Sequence, residues 1–218
     1  MKKNVKETPL AFLYVNGLGT GRSWQEKAIQ ARWGRSGIRI YFARINWYNK
    51  GSFESKKGKV VRLAKRIIKK YGQVVLIGAS AGGSLALNSF FELRDKKIGV
   101  VSAHGRLKIG DYRKNEVDSL FYKARLNTDK PIQSYYDSVC HFETEVAPRL
   151  TAEDKKRILV LRQKIDLVVP VDSMSIEGVK EYVSSAVGHR GGFWVHLIGE
   201  RDRIVEFARG LKGGMRLP

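Results

Sequence analysis

What most constrains this chain is an alternation. Six short apolar runs recur along it: Leu10–Val15, Ile38–Phe42, Val74–Ile77, Ile98–Ser102, Arg157–Leu161 and Tyr182–Ala186. Most are nearly continuous in Val, Ile, Leu and aromatics, which suits strands covered on both faces, as in a parallel sheet. Tyr182-Val183-Ser184-Ser185-Ala186 fits this pattern least. Helical patterns separate the runs, over Ser23–Trp33, Val60–Tyr71, Ala81–Leu93 and Arg190–Leu211, the last interrupted near Gly199. In the second, Val60, Leu63, Ala64, Ile67, Ile68 and Tyr71 form one stripe and lysines and arginines cover the other side.

Strands alternating with helices predict a three-layer α/β/α sandwich, with about six mostly parallel strands and right-handed crossovers. In such a sheet the ligand site lies beyond the C-terminal strand ends. That edge gathers Asn16–Thr20, Ala43–Trp47, Gly78–Gly82, Ala103–Gly105 and Gln163–Asp166. The stretch from Ile109 to Leu150 is too long for a simple crossover and is expected to hold one or two helices, as a small cap inserted in a single domain spanning 1–218.

The 218 residues suffice for one substantial core, and 43% of them are hydrophobic. Cys140 stands alone, so no intramolecular disulfide forms, which fits a reducing compartment. No apolar run approaches the roughly 20 residues of a membrane span. Leu10–Val15 is too short for a signal-peptide core and ends at Asn16-Gly17. A cytoplasmic protein is the expectation. The formal net charge of +20 speaks of partners and solubility, not of fold. It attracts polyanions, but a solvated basic surface accounts for it more simply, and no nucleic-acid motif accompanies it.

Chemistry is concentrated in Gly78-Ala79-Ser80-Ala81-Gly82, which follows Val74-Val75-Leu76-Ile77 and opens a helical segment. This is the setting of a G-x-S-x-G nucleophile elbow. The serine occupies a strained turn, the glycines let neighbouring backbone pass close, and the helix N-terminus favours developing negative charge. Ser80 is the expected nucleophile. Gly17-Leu18-Gly19-Thr20-Gly21 also follows a strand, but Arg22 stands in the third glycine's place of a dinucleotide fingerprint, and the second strand ends at Ala43-Arg44 instead of at an acid.

With these motifs the chain resembles the α/β-hydrolase family over nearly all its length. The family places an oxyanion loop, commonly His-Gly-x-Gly, after an early strand. Here Leu13-Tyr14-Val15 leads into Asn16-Gly17-Leu18-Gly19-Thr20, with Asn16 where His is usual. The resemblance implies the backbone N–H groups of Leu18 and Ala81 as oxyanion donors, which survive the Asn16 change. It implies Asp166 as the triad acid, in Arg162-Gln163-Lys164-Ile165-Asp166-Leu167-Val168-Val169-Pro170, with Asp172 the second choice and a helix N-cap by another reading. It implies His189 as the base, in Val187-Gly188-His189-Arg190, with the order Ser80, Asp166, His189 expected of the fold. His196 takes that place if the last strand is Phe193–Leu197. His104 and His141 are the remaining histidines.

The expected activity is a serine hydrolase of carboxylesterase, lipase or thioesterase kind. It cleaves a carboxylic ester or thioester through an acyl-enzyme. No cofactor is required, and no zinc cluster or calcium loop is visible for a metal. Gly17, Trp24, Trp47, Tyr48 and His104 are candidates for the substrate pocket. The partner is then a small-molecule acyl ester or thioester, with no membrane span and no claim on oligomeric state. The alternatives are a catalytically inactive binding module of the same fold and a basic nucleic-acid-associated protein.

Overall fold

The computed structural model describes residues 9–18, 23–94, 97–109, 133–166, 168–187 and 195–213. Each apolar run forms a strand: β1 (Ala11–Val15), β2 (Arg39–Phe42), β3 (Val74–Ala79), β4 (Ile98–Ala103), β5 (Ile158–Ile165) and β6 (Lys180–Val187). They pair in parallel in the order β2-β1-β3-β4-β5-β6. The helices are α1 (Ser23–Gly34), α2 (Phe53–Tyr71), α3 (Ala81–Leu93), α4 (Gln133–His141), α5 (Ala152–Lys156) and α6 (Arg201–Gly213).

Successive strand side chains face opposite ways, so each central strand feeds two cores. Leu13, Val15, Leu76, Val100 and Val160 meet Val60 and Ala64 of α2, Leu85 and Phe90 of α3, and Val139 of α4. Phe12, Val75, Ile77, Val101 and Leu159 meet Ile29 and Trp33 of α1 and Ile204 and Ala208 of α6. Two apolar layers on one sheet give the α/β/α sandwich. Trp33 closes the second layer, its ring edge-on to Phe12 at 5.0 Å and its indole N–H donating to the Leu197 carbonyl at 2.9 Å.

Three elements extend beyond their sequence patterns. Helix α2 begins at Phe53, seven residues before Val60, because Ser52 caps it by accepting from the Ser55 N–H at 3.2 Å. Its buried stripe includes Lys56, whose apolar stem is covered while its ammonium donates to the Gly51 carbonyl. Strand β5 continues through Arg162-Gln163-Lys164 because β6 pairs with it there, past an irregularity between Gln163 and Ile165. β6 is an edge strand, with Ser184 buried and Val183 exposed, which is why its sequence lacks a continuous apolar run. The expected last helix is a π-helical turn, Val195–Gly199, followed by α6.

Helix α4 and the irregular helical turns after it, Phe142–Val146 and Ala147–Arg149, fall within the expected insertion. α4 packs on the flank of α3. Ser138 Oγ lies 2.9 Å from Ser84 Oγ, Asn88 donates to the Ser138 carbonyl at 2.8 Å, and His141 Nδ1 lies 3.0 Å from Asn88 Oδ1. His141 therefore helps fasten α4 to the helix that follows Ser80. Residues 110–132 of the expected insertion, with the aromatics Tyr112, Phe121 and Tyr122, lie outside the described residues.

The topology locates the crevice. From β1 the chain crosses to β2 on one side, and from β3 it crosses to β4 on the other, so the direction reverses between β1 and β3. The loops after β1 and β3 flank that switch point, where ligands bind in open α/β sheets. The turn after β3 depends on a close approach at Gly78, where a Cβ would stand 2.2 Å from the Gly82 carbonyl oxygen and 2.7 Å from Ala86 Cβ. Gly78→Ala should therefore destabilise the fold by about 1–3 kcal/mol. Urea unfolding of both proteins measures it, and a difference under about 0.5 kcal/mol would show that α3 moves away freely.

Candidate functional site

Ser80 joins β3 to α3. It has φ 52° and ψ −122°, a conformation that side-chain-bearing residues rarely adopt. Such backbone costs on the order of 1–3 kcal/mol and persists only when its surroundings enforce it. Here the Ser80 N–H donates to the Ala103 carbonyl at 3.1 Å, and the Ser80 carbonyl accepts from the Gly83 N–H at 2.8 Å. Ala79 and Ala81 on either side are buried, while Ser80 is half-buried. The junction thus turns the hydroxyl-bearing residue outward at the N-terminus of α3, where helix N–H groups leave a partial positive charge.

The loop after β1 lies against this junction. A Cβ on Gly17 would stand 2.9 Å from Ser80 Cβ and 3.4 Å from Ser80 Oγ. One on Gly82 would stand 2.3 Å from the Val15 carbonyl oxygen. Only hydrogen at these two positions lets the β1 loop and the first turn of α3 meet. Gly17, Leu18, Ser80 and Ala81 therefore share one corner of the sheet edge, with Leu18 half-buried and packed on the core.

Asn16 fixes that loop from behind. It is 7% exposed, its Nδ2 donates to the Ile45 carbonyl at 2.9 Å, and its Oδ1 accepts from the Ile45 N–H at 2.5 Å. The Trp47 indole N–H donates to the Asn16 carbonyl at 3.1 Å, and the Trp47 ring stands edge-on to Tyr135 of α4 at 6.0 Å. Trp47 is fully buried, so its place is beneath the loop, while Trp24 is 57% exposed on the first turn of α1. Sequence reading registered Asn16 as a departure from His-Gly-x-Gly and missed this bracing, since nothing in the spacing links residues 16 and 45.

On the same edge, Asp166 directly follows β5 and is half-buried. Its Oδ1 accepts from the backbone N–H groups of Val168 and Val169 at 2.8 and 3.0 Å, which fixes the carboxylate. Asp172 is the exposed second residue of a separate turn, Val171–Met174, whose cap position is Pro170, so it is not the N-cap its sequence setting suggested. His104 follows β4 with φ 42°, is 3% exposed, and donates its backbone N–H to the Leu161 carbonyl at 2.7 Å. His104 thus stands on the edge between the strands of Ser80 and Asp166. His189 lies outside the described residues, two positions past the end of β6. His196 belongs to the Val195–Gly199 turn, and its side chain is likewise undescribed.

One electrostatic feature near the corner was not legible in sequence. Glu26 of α1 is buried and pairs with Arg44 at 2.5 Å. Burial, and then the Glu26 charge, push the phenol of Tyr14 on β1 far above its ordinary range and keep it neutral. Among the described residues no cluster of His, Cys, Asp and Glu is arranged to hold a metal, and no helix is long and apolar enough to cross a membrane.

Truncating Asn16 removes its side-chain bonds to Ile45 and to the Gly17 carbonyl and strands the buried Ile45 amide. Asn16→Ala should cost about 1–3 kcal/mol, seen as a lower Tm. An unchanged Tm would mean that Trp47 alone holds the loop.

No protein-family model and no curated protein matches the chain. Solved structures do. A metagenome-derived lipolytic enzyme aligns over 93% of this chain and 95% of its own, at 12% identity and a TM-score of 0.63. The Pyrobaculum calidifontis esterase aligns over 95% and 76%, at 16% identity and 0.62. The Paleococcus ferrophilus monoacylglycerol lipase aligns over 93% and 96%, at 14% identity and 0.56. The parallel sheet, its switch point, the strained serine after β3 and these likenesses together identify the chain as having the α/β-hydrolase fold.

Proposed function

We propose that this chain is a serine hydrolase that cleaves a carboxylic ester or thioester, with Ser80 as nucleophile, His189 as base and Asp166 as the acid that orients it. The observation that carries the reading is the backbone of Ser80, held at φ 52° between a buried strand and a buried helix. Strain of that kind has no structural use for an idle serine, since glycine would relieve it at no cost to packing. The fold neighbours, a lipolytic enzyme, an esterase and a monoacylglycerol lipase among them, agree in reaction class.

In this mechanism His189 takes the Ser80 hydroxyl proton as Oγ attacks the acyl carbon. The carbonyl π pair moves to oxygen, and the Leu18 and Ala81 amides receive the resulting oxyanion, a contribution of about 3–4 kcal/mol per donor. Collapse breaks the bond to the alcohol or thiol, which leaves with the proton from His189. Water, deprotonated by His189, then attacks the acyl carbon; the bond to Ser80 Oγ breaks, His189 returns the proton to Oγ, and the acid leaves. Asp166 accepts from the imidazole N–H and keeps the correct tautomer throughout. Its second role, accepting from Val168 and Val169, prevents it from swinging away.

A fluorophosphonate probe should label the wild-type protein and leave Ser80→Ala unlabelled. His189→Ala and Asp166→Asn should retain the fold and lose about 10³–10⁴-fold in kcat on a p-nitrophenyl ester. Gly17→Ala, whose methyl would press on Ser80 Cβ, should lose about 10²-fold. Labelling that persists in Ser80→Ala, or folded wild type that resists the probe, defeats the assignment.

A further inference from the structure

The large apolar side chains left in solvent are not scattered. Among the described residues, Trp24 (57% exposed), Tyr48 (53%) and Ile165 (57%) all lie at the C-terminal edge of the sheet, on either side of Ser80. Trp24 is on the first turn of α1, Tyr48 is in the loop after β2, and Ile165 is the last residue of β5. The fourth such residue, Val183, lies mid-strand on β6.

The loop after β2 shows how the exposure is built. Ala43, Ile45 and Trp47 point inward and are buried, so Arg44, Asn46 and Tyr48 are turned outward. The loop is braced in that pose by Asn16, and the Tyr48 N–H donates to Asn46 Oδ1 at 3.0 Å. Tyr48 is therefore presented by a rigid loop.

Trp24 and Tyr48 each have an exposed cation close by in the chain: Lys27 one turn after Trp24 on the same helix face, and Lys50 two residues after Tyr48. Beside Trp24 and Tyr48 the acids do not balance them: Glu26 is buried under Arg44 and Glu54 pairs with Lys57 at 2.8 Å, while Asp166 and Asp172 follow β5, on the far side of β3 and β4. Aromatic rings with polar tips beside lysines form the pattern that settles at the headgroup level of a bilayer, and cations there favour anionic lipid.

We propose that the edge carrying Ser80 docks on an anionic lipid surface and draws its acyl ester from that surface. The proposal rests on the serine-hydrolase reading for the ester and not for the docking. A nucleic acid fits this edge less well. The strongest run of cations, Lys59, Arg62, Lys65, Arg66, Lys69 and Lys70, lies along the outer face of α2 and has no exposed aromatic among it on which bases would stack.

The test is co-sedimentation of the full chain with vesicles of phosphatidylcholine alone and of phosphatidylcholine with 30 mol% phosphatidylglycerol (about 0.15 M salt). Binding should require the anionic lipid and weaken at about 0.5 M salt. Lys27→Glu and Lys50→Glu together should weaken it by tenfold or more, at roughly fivefold per charge. Trp24→Ala with Tyr48→Ala should weaken it comparably, and circular dichroism verifies that each variant folds. Ser80→Ala should bind vesicles like wild type, which separates docking from catalysis. The lysine variant should hydrolyse a water-soluble acetyl ester at the wild-type rate and lose rate on ester presented in anionic vesicles. No sedimentation with anionic vesicles overturns the proposal while leaving the hydrolase reading intact. So does binding indifferent to both sets of substitutions, or preferential binding of a single-stranded RNA 30-mer that survives loss of Trp24 and Tyr48.

Discussion

The site exists because backbone meets backbone where side chains would normally intervene. A Cβ at Gly82 would fall 2.3 Å from the end of β1, and one at Gly78 would fall 2.2 Å from the Gly82 carbonyl. These contacts set the height at which α3 starts relative to the sheet, and thereby force Ser80 into its positive-φ turn. The rest of α3 supplies the opposing force. From Ala81 to Phe90 every residue is buried, so the helix cannot lift to relax the junction without exposing its whole face. A local strain of a few kcal/mol is small against that burial, which is how a marginally stable domain keeps an unfavourable conformation at one position.

Much of this was legible because it is encoded locally. Helix α3 occupies Ala81–Leu93, as its small-residue apolar pattern requires, and five of the six strands follow from nearly continuous apolar runs. β6 was hard to read because it is the last strand of the sheet among the described residues, and its composition is that of a half-solvated strand. The start of α2 was hidden by Lys56, a charged residue whose stem serves the core. What could not be read were contacts between distant positions, such as Asn16 with Ile45, Glu26 with Arg44, and Ser84 with Ser138. Each is polar, each is buried on at least one side, and polar residues announce no partner by spacing.

Asn16 shows what such a contact adds. The ladder between β1 and β2 ends in backbone terms when the Ala43 N–H donates to the Tyr14 carbonyl. Beyond it, the Asn16 carboxamide places an acceptor and a donor side by side against the N–H and C=O of one residue, Ile45. The side chain thus imitates one more rung of the sheet. An imidazole cannot do this, because its N–H and its nitrogen lone pair point outward in widely diverging directions and cannot both meet the N–H and C=O of one residue. The change from the residue usual in His-Gly-x-Gly is therefore a different way of stiffening the loop: it couples the β1 loop, which borders Ser80, to the β2 loop, which carries Tyr48.

That coupling also separates the two meanings of the basic charge. A total of +20 is a property of composition and has no direction. On α2 the cations cover a helix flank whose opposite side is core, and they keep that flank solvated. At the sheet edge, Lys27 and Lys50 lie close in the chain to Trp24 and Tyr48, side chains that water does not favour. Leaving such side chains exposed at the edge that carries Ser80 forgoes burial that each would gain in a core. The cost is tolerated where the exposed groups have another apolar phase to enter, and the neighbouring lysines then select the charge of the surface that provides it.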